Sequence, residues 1–463
     1  MRRLSRAGFA AALLAAIAPA PAMADDDDAK PGSAVASPAQ DDDDDRDPSI
    51  LDSVPALGPI KNARDALAAK GLTFSGFYFS DPRANLHGGM REGATYSGLL
   101  KVAIDADLET IAGVKDASVH VDMLQIHGRD LSEEYIGNVL SVNDIGARPT
   151  TRLFEAYYQQ KLGNLTLKFG QLASDEEYFI SDHAEQVFIG ATFGWAAAPS
   201  LNLPQEGPAY PLAVLGAQAQ YDVSDRLTVI GAIYNGYAAR PKALDAEKAN
   251  PHGLNFRLGD PPFMIAEARY RFEGLGGLPA KLKLGGYGHF GDFDDLKRGT
   301  DGLTLGAPGS NDDPRRHDGN LNLYAVLDQQ LWRFSGDDPE RGIGFFLRAV
   351  WGPKDRNTIS AYVDGGLTAK GLLPGRPDDL AGVAVAWADF SPGLAAVDRA
   401  AADGAIRRYE AKIEATYKAQ VLPGMTVAPT FQYVMRPGGG PPEDGGPRIP
   451  NATVFGVTTI VTF

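Results

Sequence analysis

Residues 408–421 read RYEAKIEATYKAQV. The even positions are Arg408, Glu410, Lys412, Glu414, Thr416, Lys418 and Gln420. The odd positions are Tyr409, Ala411, Ile413, Ala415, Tyr417, Ala419 and Val421. Fourteen residues alternate without a slip, which a helix of period 3.6 cannot produce. One face is densely charged and the other is apolar with Tyr near both ends. Strands of soluble sheets run to about 5–6 residues, whereas tilted membrane strands need about 9–11. The stretch therefore reads as a membrane-crossing strand, with lipid on one side and a polar lumen on the other.

The pattern recurs along the chain. In 96–108, Tyr96, Leu100, Val102, Ile104, Ala106 and Leu108 oppose Lys101, Asp105 and Asp107. In 264–272, Met264, Ala266, Ala268, Tyr270 and Phe272 oppose Glu267, Arg269 and Arg271. Strands are expected at 72–79, 96–108, 117–127, 152–162, 165–172, 212–223, 227–235 and 263–272. They continue at 280–290, 320–332, 342–351, 358–368, 379–390, 406–421, 425–436 and 452–463. That makes 16, an even number as single-chain bacterial barrels require. Short links at 163–164, 223–226, 335–341 and 422–424 alternate with long ones at 79–95, 128–151, 173–211, 236–262, 291–319, 391–405 and 437–451. With a periplasmic N-terminus every long link falls outside. The expected fold is all-β: a 16-stranded antiparallel transmembrane β-barrel with short periplasmic turns and long outer loops. The last strand puts Thr453, Phe455, Val457, Thr459, Val461 and the terminal Phe463 on one face. Such an amphipathic end with a final aromatic is the signal read by barrel assembly machinery.

The N-terminus supports export. Arg2, Arg3 and Arg6 precede an apolar run, Ala7–Ile17, too short to span a bilayer, and Ala22-Met23-Ala24 completes a signal peptide over 1–24. Residues 25–59, with Asp25–Asp28 and Asp41–Asp45, read as a solvated acidic linker. Residues 60–70 read as a short helix closed by Gly71, ahead of the barrel that fills the rest of 60–463. The net charge is −15, and −18 without the signal peptide, which disfavours a nucleic-acid partner. The absence of Cys removes disulfides, thiolate metal sites, Cys nucleophiles and a lipid-anchor Cys.

Several runs, taken together and in order, resemble the carbohydrate-selective porin family of Gram-negative outer membranes. They are Asn85-Leu86-His87-Gly88-Gly89 with Arg91, Tyr96-Ser97-Gly98-Leu99-Leu100, Leu124-Gln125-Ile126-His127-Gly128-Arg129 and Thr150-Thr151-Arg152-Leu153-Phe154-Glu155. Gly170-Gln171-Leu172-Ala173 with Asp175 and Glu177, Phe193-Gly194-Trp195, Asn202-Leu203-Pro204, Gly207-Pro208-Ala209-Tyr210-Pro211-Leu212, His252-Gly253 with Phe256-Arg257-Leu258, and Gly371-Leu372-Leu373-Pro374-Gly375-Arg376 with Asp378-Asp379 continue the match. The resemblance covers about 60–463 and implies a barrel that passes sugars by diffusion. The acidic linker departs from it.

By the alternation, the lumen wall carries Lys101, Asp105, Asp107, Glu267, Arg269, Arg271, Lys283, Arg348, Glu410 and Lys412. Both signs interleave, which suits a neutral solute rich in hydroxyls better than an ion. In porins the loop corresponding to 173–211 folds into the barrel and narrows it; the alternative is an outer lid or an oligomer contact. The constriction candidates are Asp175, Glu176, Glu177, Asp182 and Trp195, joined by Tyr157, Arg91, Arg129, Arg152 and Glu155. No nucleophile elbow, zinc-protease helix or phosphate loop is present, and adjacent carboxylates at 175–177 rarely divide into acid and base. His120 and Asp122 share a strand face but lack a third ligand in the sequence. The expected protein is no enzyme and needs no cofactor or metal. Its partners are sugars as solutes, outer-membrane lipid and the assembly machinery; a homo-oligomer is left open. A tag inserted at 30–40 is expected to resist antibody labelling on intact cells and to label after permeabilisation. Labelling of intact cells would reverse the topology.

Overall fold

The computed structural model describes residues 48–143, 145–336, 338–401, 406–440 and 447–463. The signal peptide and the poly-Asp part of the linker lie outside these residues. Sixteen antiparallel strands close into a barrel. The first eight are β1 (Leu72–His87), β2 (Gly93–Asp107), β3 (Ala117–Gly128), β4 (Thr150–Leu162), β5 (Leu165–Leu172), β6 (Val214–Ser224), β7 (Leu227–Asn235) and β8 (Pro262–Glu273). The others are β9 (Pro279–Gly299), β10 (Pro314–Arg333), β11 (Gly342–Trp351), β12 (Ile359–Lys370), β13 (Leu380–Phe390), β14 (Tyr409–Leu422), β15 (Met425–Met435) and β16 (Ala452–Thr462). Each strand pairs with its sequence neighbours, and β1 pairs with β16 to remove both edges. Closure leaves no ladder open to hydrocarbon, the condition for a sheet to stand in a bilayer.

The alternation sorts as expected in β14. Glu410, Lys412 and Glu414 are wholly buried inside the barrel, and Tyr409, Ile413 and Ala415 sit on the opposite face. On other strands Val102, Leu323, Leu347, Val383 and Phe431 are exposed to the lipid side.

Three departures from the sequence reading have local causes. First, β1 continues eight residues past 79. Pro82 interrupts the reading because proline cannot donate to a ladder. The β1–β16 ladder passes over Asp81 and Pro82, so the missing N–H costs no bond there. Second, β9 and β10 run to 21 and 20 residues, and only 300–313 remain as the turn of a tall hairpin. At about 3.3 Å per residue these strands exceed the bilayer and project above it. Third, link lengths do not separate the two sides cleanly. Outer link 352–358 is short, and periplasmic links 108–116 and 371–379 are longer than it. The N-terminal helix spans Gly58–Ala68, two residues earlier than expected, with Pro59 in its first turn. Residues 48–59 are structured: a short helix, Ile50–Ser53, is capped by Ser49 and docks by the Ser53 hydroxyl on Pro423 O at 2.8 Å.

The chain end closes the seam. Phe463 N–H donates to Gly76 O at 2.9 Å, and Gly76 N–H donates back to Phe463 O at 3.0 Å. The Phe463 ring covers Gly76 so closely that an added Cβ would stand 2.9 Å from it. Deleting Phe463 is expected to remove about 1.5–3 kcal/mol of burial. It should also lower the fraction of chains running as a heat-modifiable barrel, and Gly76→Val should do the same. Normal abundance of folded barrel in both variants would exclude this closing role.

Candidate constriction of the pore

The link from β5 to β6, residues 173–213, turns into the barrel. Its apolar content explains the path: Tyr178, Phe179, Phe188 and Phe193 are all buried, with Ala184 and Val187. Left above the barrel in water, each large apolar side chain would forgo about 1.5–3 kcal/mol. The receiving wall is apolar where the loop lands. Phe179 stacks on Tyr324 of β10 at 3.7 Å and meets Tyr287 of β9 edge-on at 5.5 Å. Phe188 and Phe193 pack on Phe346 of β11 at 5.7 and 6.3 Å.

Polar anchors then pin the loop across the lumen. Arg348 of β11 is buried, paired with Asp364 of β12 at 2.9 Å. It also donates to the carbonyls of Phe179, Gly194 and Thr192 at 3.2, 2.8 and 3.0 Å. Asp328 of β10 accepts from the Ser181 hydroxyl and from His183 N–H. Glu414 of β14 accepts from Ile189 N–H at 3.3 Å. The loop thus reaches from the β5–β6 wall to the opposite wall.

A second outer loop, 129–149, also enters. Glu410 accepts from the N–H groups of Val139 and Leu140 at 3.0 and 2.7 Å, and Lys412 donates to Ser141 O at 2.8 Å. Glu410 and Lys412 therefore hold loop backbone and do not face solvent.

The partly exposed charges gather where the start of the third loop meets β2–β9. Lys101 Nζ lies 2.9 Å from Asp122 and 3.5 Å from Glu176. Lys168 pairs with Glu177 at 2.6 Å and stands over the Tyr157 ring at 5.0 Å. Arg269 meets Glu267 at 2.7 Å and Glu177 at 3.8 Å. Asp182 bridges Lys281 and Lys283, the latter at 3.0 Å. Glu155 accepts from Ala173 N–H at 2.8 Å, and Asp175 accepts from Tyr210 N–H at 2.7 Å, so both orient the entry to the loop. Trp195 packs edge-on to Phe179 at 5.8 Å, and its indole N–H has no hydrogen-bond partner among the described residues.

Other sequence candidates stand elsewhere. Arg91 and Arg129 are more than half exposed at the outer rim, both paired with Glu134 at 3.4 and 3.2 Å. They lie just past the ends of β1 and β3, where family-like runs mark the rim and not the narrowing. Arg152 is buried, tied to Glu247 at 3.1 Å and to Pro211 O at 3.3 Å, and locks two outer loops together. Asp107 caps the turn helix Leu108–Ala112 at the periplasmic end, and Arg271 is exposed near the same end. Asp105 holds His120 Nδ1 at 2.7 Å.

Folding supplies the third group that His120 and Asp122 lacked in the sequence. Glu155 comes within 4.8 Å of both. The Lys101 ammonium already provides the positive charge at that point. Sequence reasoning missed Asp81 and Arg83, a buried pair at 2.6 Å in the extension of β1, and Asp364 of β12. The two-residue spacing of Asp81, Arg83 and Asn85 was the available signal.

The family model for the carbohydrate-selective porin, OprB family, matches residues 91–463. Porin B of Pseudomonas aeruginosa is 25% identical over 88% of this chain and 91% of its own length. A high-pH structure of Pseudomonas putida OprB superposes with TM-score 0.74 at 23% identity, covering 88% of this chain and 98% of that one. A low-pH structure of the same protein gives TM-score 0.54 at 20% identity, with coverage of 88% and 97%. A closed 16-stranded barrel narrowed by an inserted loop, matched by the family model over most of its length, belongs to the carbohydrate-selective porin family: the chain is a sugar-selective channel of the Gram-negative outer membrane.

Proposed function

We propose that neutral mono- and oligosaccharides cross this barrel by diffusion past a ladder of paired charges, formed by Lys101, Glu176, Lys168, Glu177, Arg269 and Asp182. The observation that carries the reading is the pairing itself. Each loop carboxylate among Glu176, Glu177 and Asp182 meets a cation from a barrel strand within 3.5 Å. Opposite charges so close cancel at a distance, and at physiological salt the residual field decays over about 8 Å. An ion therefore gains little on entering. A sugar finds carboxylate acceptors and ammonium or guanidinium donors alternating at the spacing of side chains. Tyr157 and Trp195 add ring faces for the C–H side of a sugar. No covalent step is part of this reading.

The rest of the path is proposed on the same basis. The leader is removed after Ala24, and the assembly machinery reads the last strand with Phe463. Lipid surrounds the apolar belt, and a single barrel is sufficient for passage.

Two outcomes test the ladder. Glu177→Gln leaves Lys168 and Arg269 without their shared carboxylate. Its channel is expected to shift toward anions in reversal-potential measurements, with altered sugar flux in liposome swelling. Arg91→Ala and Arg129→Ala should leave both readings at parent values. Parent-like behaviour of Glu177→Gln would move the narrowing elsewhere. Arg348→Ala strands Asp364 and three loop carbonyls, a loss of about 3–5 kcal/mol for breaking a buried pair. The expected readout is noisier and larger single-channel conductance with the barrel still folded; unchanged conductance would mean that Arg348 does not hold the loop.

A further inference from the structure

Outside the lumen, the outer ends of β13, β14 and β15 carry outward-facing aromatics. Trp387 and Tyr409 lie 6.3 Å apart, and Tyr433 follows on the next strand. Such rings mark the headgroup level of a membrane barrel. The Arg436 guanidinium sits over the Tyr409 ring at 5.1 Å. Arg436 also donates to Gly439 O at 3.2 Å, while its Nε is buried with no hydrogen-bond partner among the described residues. Burial, followed by the charges of Arg448 and Arg408, holds this guanidinium below its usual pKa, so three arginines share one field.

Beside them opens a cavity of about 390 Å³ lined by His87, Tyr433, Arg448, Ile449, Pro450 and Asn451. Its polar lining is preassembled. Asn451 accepts from Arg448 Nη2 and from Arg436 N–H at 3.0 Å each, and its own amide donates to the Tyr433 hydroxyl at 3.0 Å. Among the described residues no carboxylate lines the cavity. His87 contacts Glu92 at 3.3 Å, and Glu443 and Asp444 of the same outer loop lie outside the described residues.

We infer that this cavity is a binding site for the phosphate-bearing sugar headgroup of an outer-leaflet glycolipid. Arg448, which lines the cavity, would meet the phosphate, with the Arg436 charge beside it, and Asn451 and Tyr433 would meet the sugar hydroxyls. The position supplies the source of the phosphate. The site faces outward at the aromatic belt, not the lumen, so a lipid is presented to it in the plane of the membrane. Clustered guanidinium groups suit phosphate by forked hydrogen bonding, and basic pockets at membrane interfaces hold lipid head groups.

The test uses the full barrel in mild detergent, with native mass spectrometry of bound diphosphoryl lipid A. The parent is expected to retain the lipid. Arg436→Ala combined with Arg448→Ala should lower retention about tenfold, a difference of about 1.4 kcal/mol. Fully dephosphorylated lipid should bind as weakly to the parent as the intact lipid does to the double variant. Millimolar inorganic phosphate should leave the intact lipid bound. Sugar flux in liposomes should stay at parent values, since neither arginine touches the lumen ladder. If the double variant does not fold, Arg448→Gln alone, at an exposed position, is expected to show reduced retention. Equal retention by variant and parent, or by phosphorylated and dephosphorylated lipid, overturns the site. Displacement by inorganic phosphate overturns the lipid as its source.

Discussion

The structure depends on one constraint: in hydrocarbon no water satisfies a backbone N–H or C=O, so the sheet must close on itself. The β1–β16 ladder meets it, from Phe77 opposite Thr462 to His87 opposite Thr453, and the Gly76–Phe463 pair extends it to the last residue. Closure also fixes what each side chain sees. A one-residue slip in register would turn charged residues such as Glu410, Lys412 and Glu414 into lipid. Both the pore and the membrane belt follow from that alternation.

Closure alone produces a wide tube, and the third loop crosses its lumen. Its route is set by two forces of different kind. Burial of Phe179, Phe188 and Phe193 against the β9–β11 wall supplies most of the drive. Directional anchors, with Arg348 on three loop carbonyls and Asp328 on three loop donors, choose one arrangement among many apolar ones. Buried ion pairs such as Arg348–Asp364 contribute little net stability against an apolar core. Removing either partner is costly, which makes them suited to holding a loop at one place.

The charges along the lumen therefore divide by use. Arg348, Glu410, Lys412 and Glu414 are spent on loop backbone and are inaccessible to solute. Lys101, Lys168, Glu176, Glu177, Arg269 and Asp182 keep part of their surface open. Alternation puts the strand residues of both groups on the lumen side but cannot separate them, because the difference lies in what the loops bring opposite each one. The same limit applies at the rim, where Arg91 and Arg129 sit in family-like runs yet pair with Glu134 beyond the strand ends.

Local pattern determined the strand count, the membrane character and the lipid and lumen faces, since period-two alternation is a property of neighbouring residues. It failed where a local signal contradicted a long-range one. Pro82 concealed half of β1, and Gly- and Asp-rich residues concealed the tall β9–β10 hairpin. Tertiary structure alone decided where the 173–213 loop lands and which carboxylate meets which cation. It also brought Glu155 beside His120 and Asp122, and gathered Arg436, Arg448 and Tyr433 at one outer corner. Most of those contacts join residues far apart in the chain. Their partners are set by the closed circumference and by loops crossing it, which no run of adjacent residues encodes.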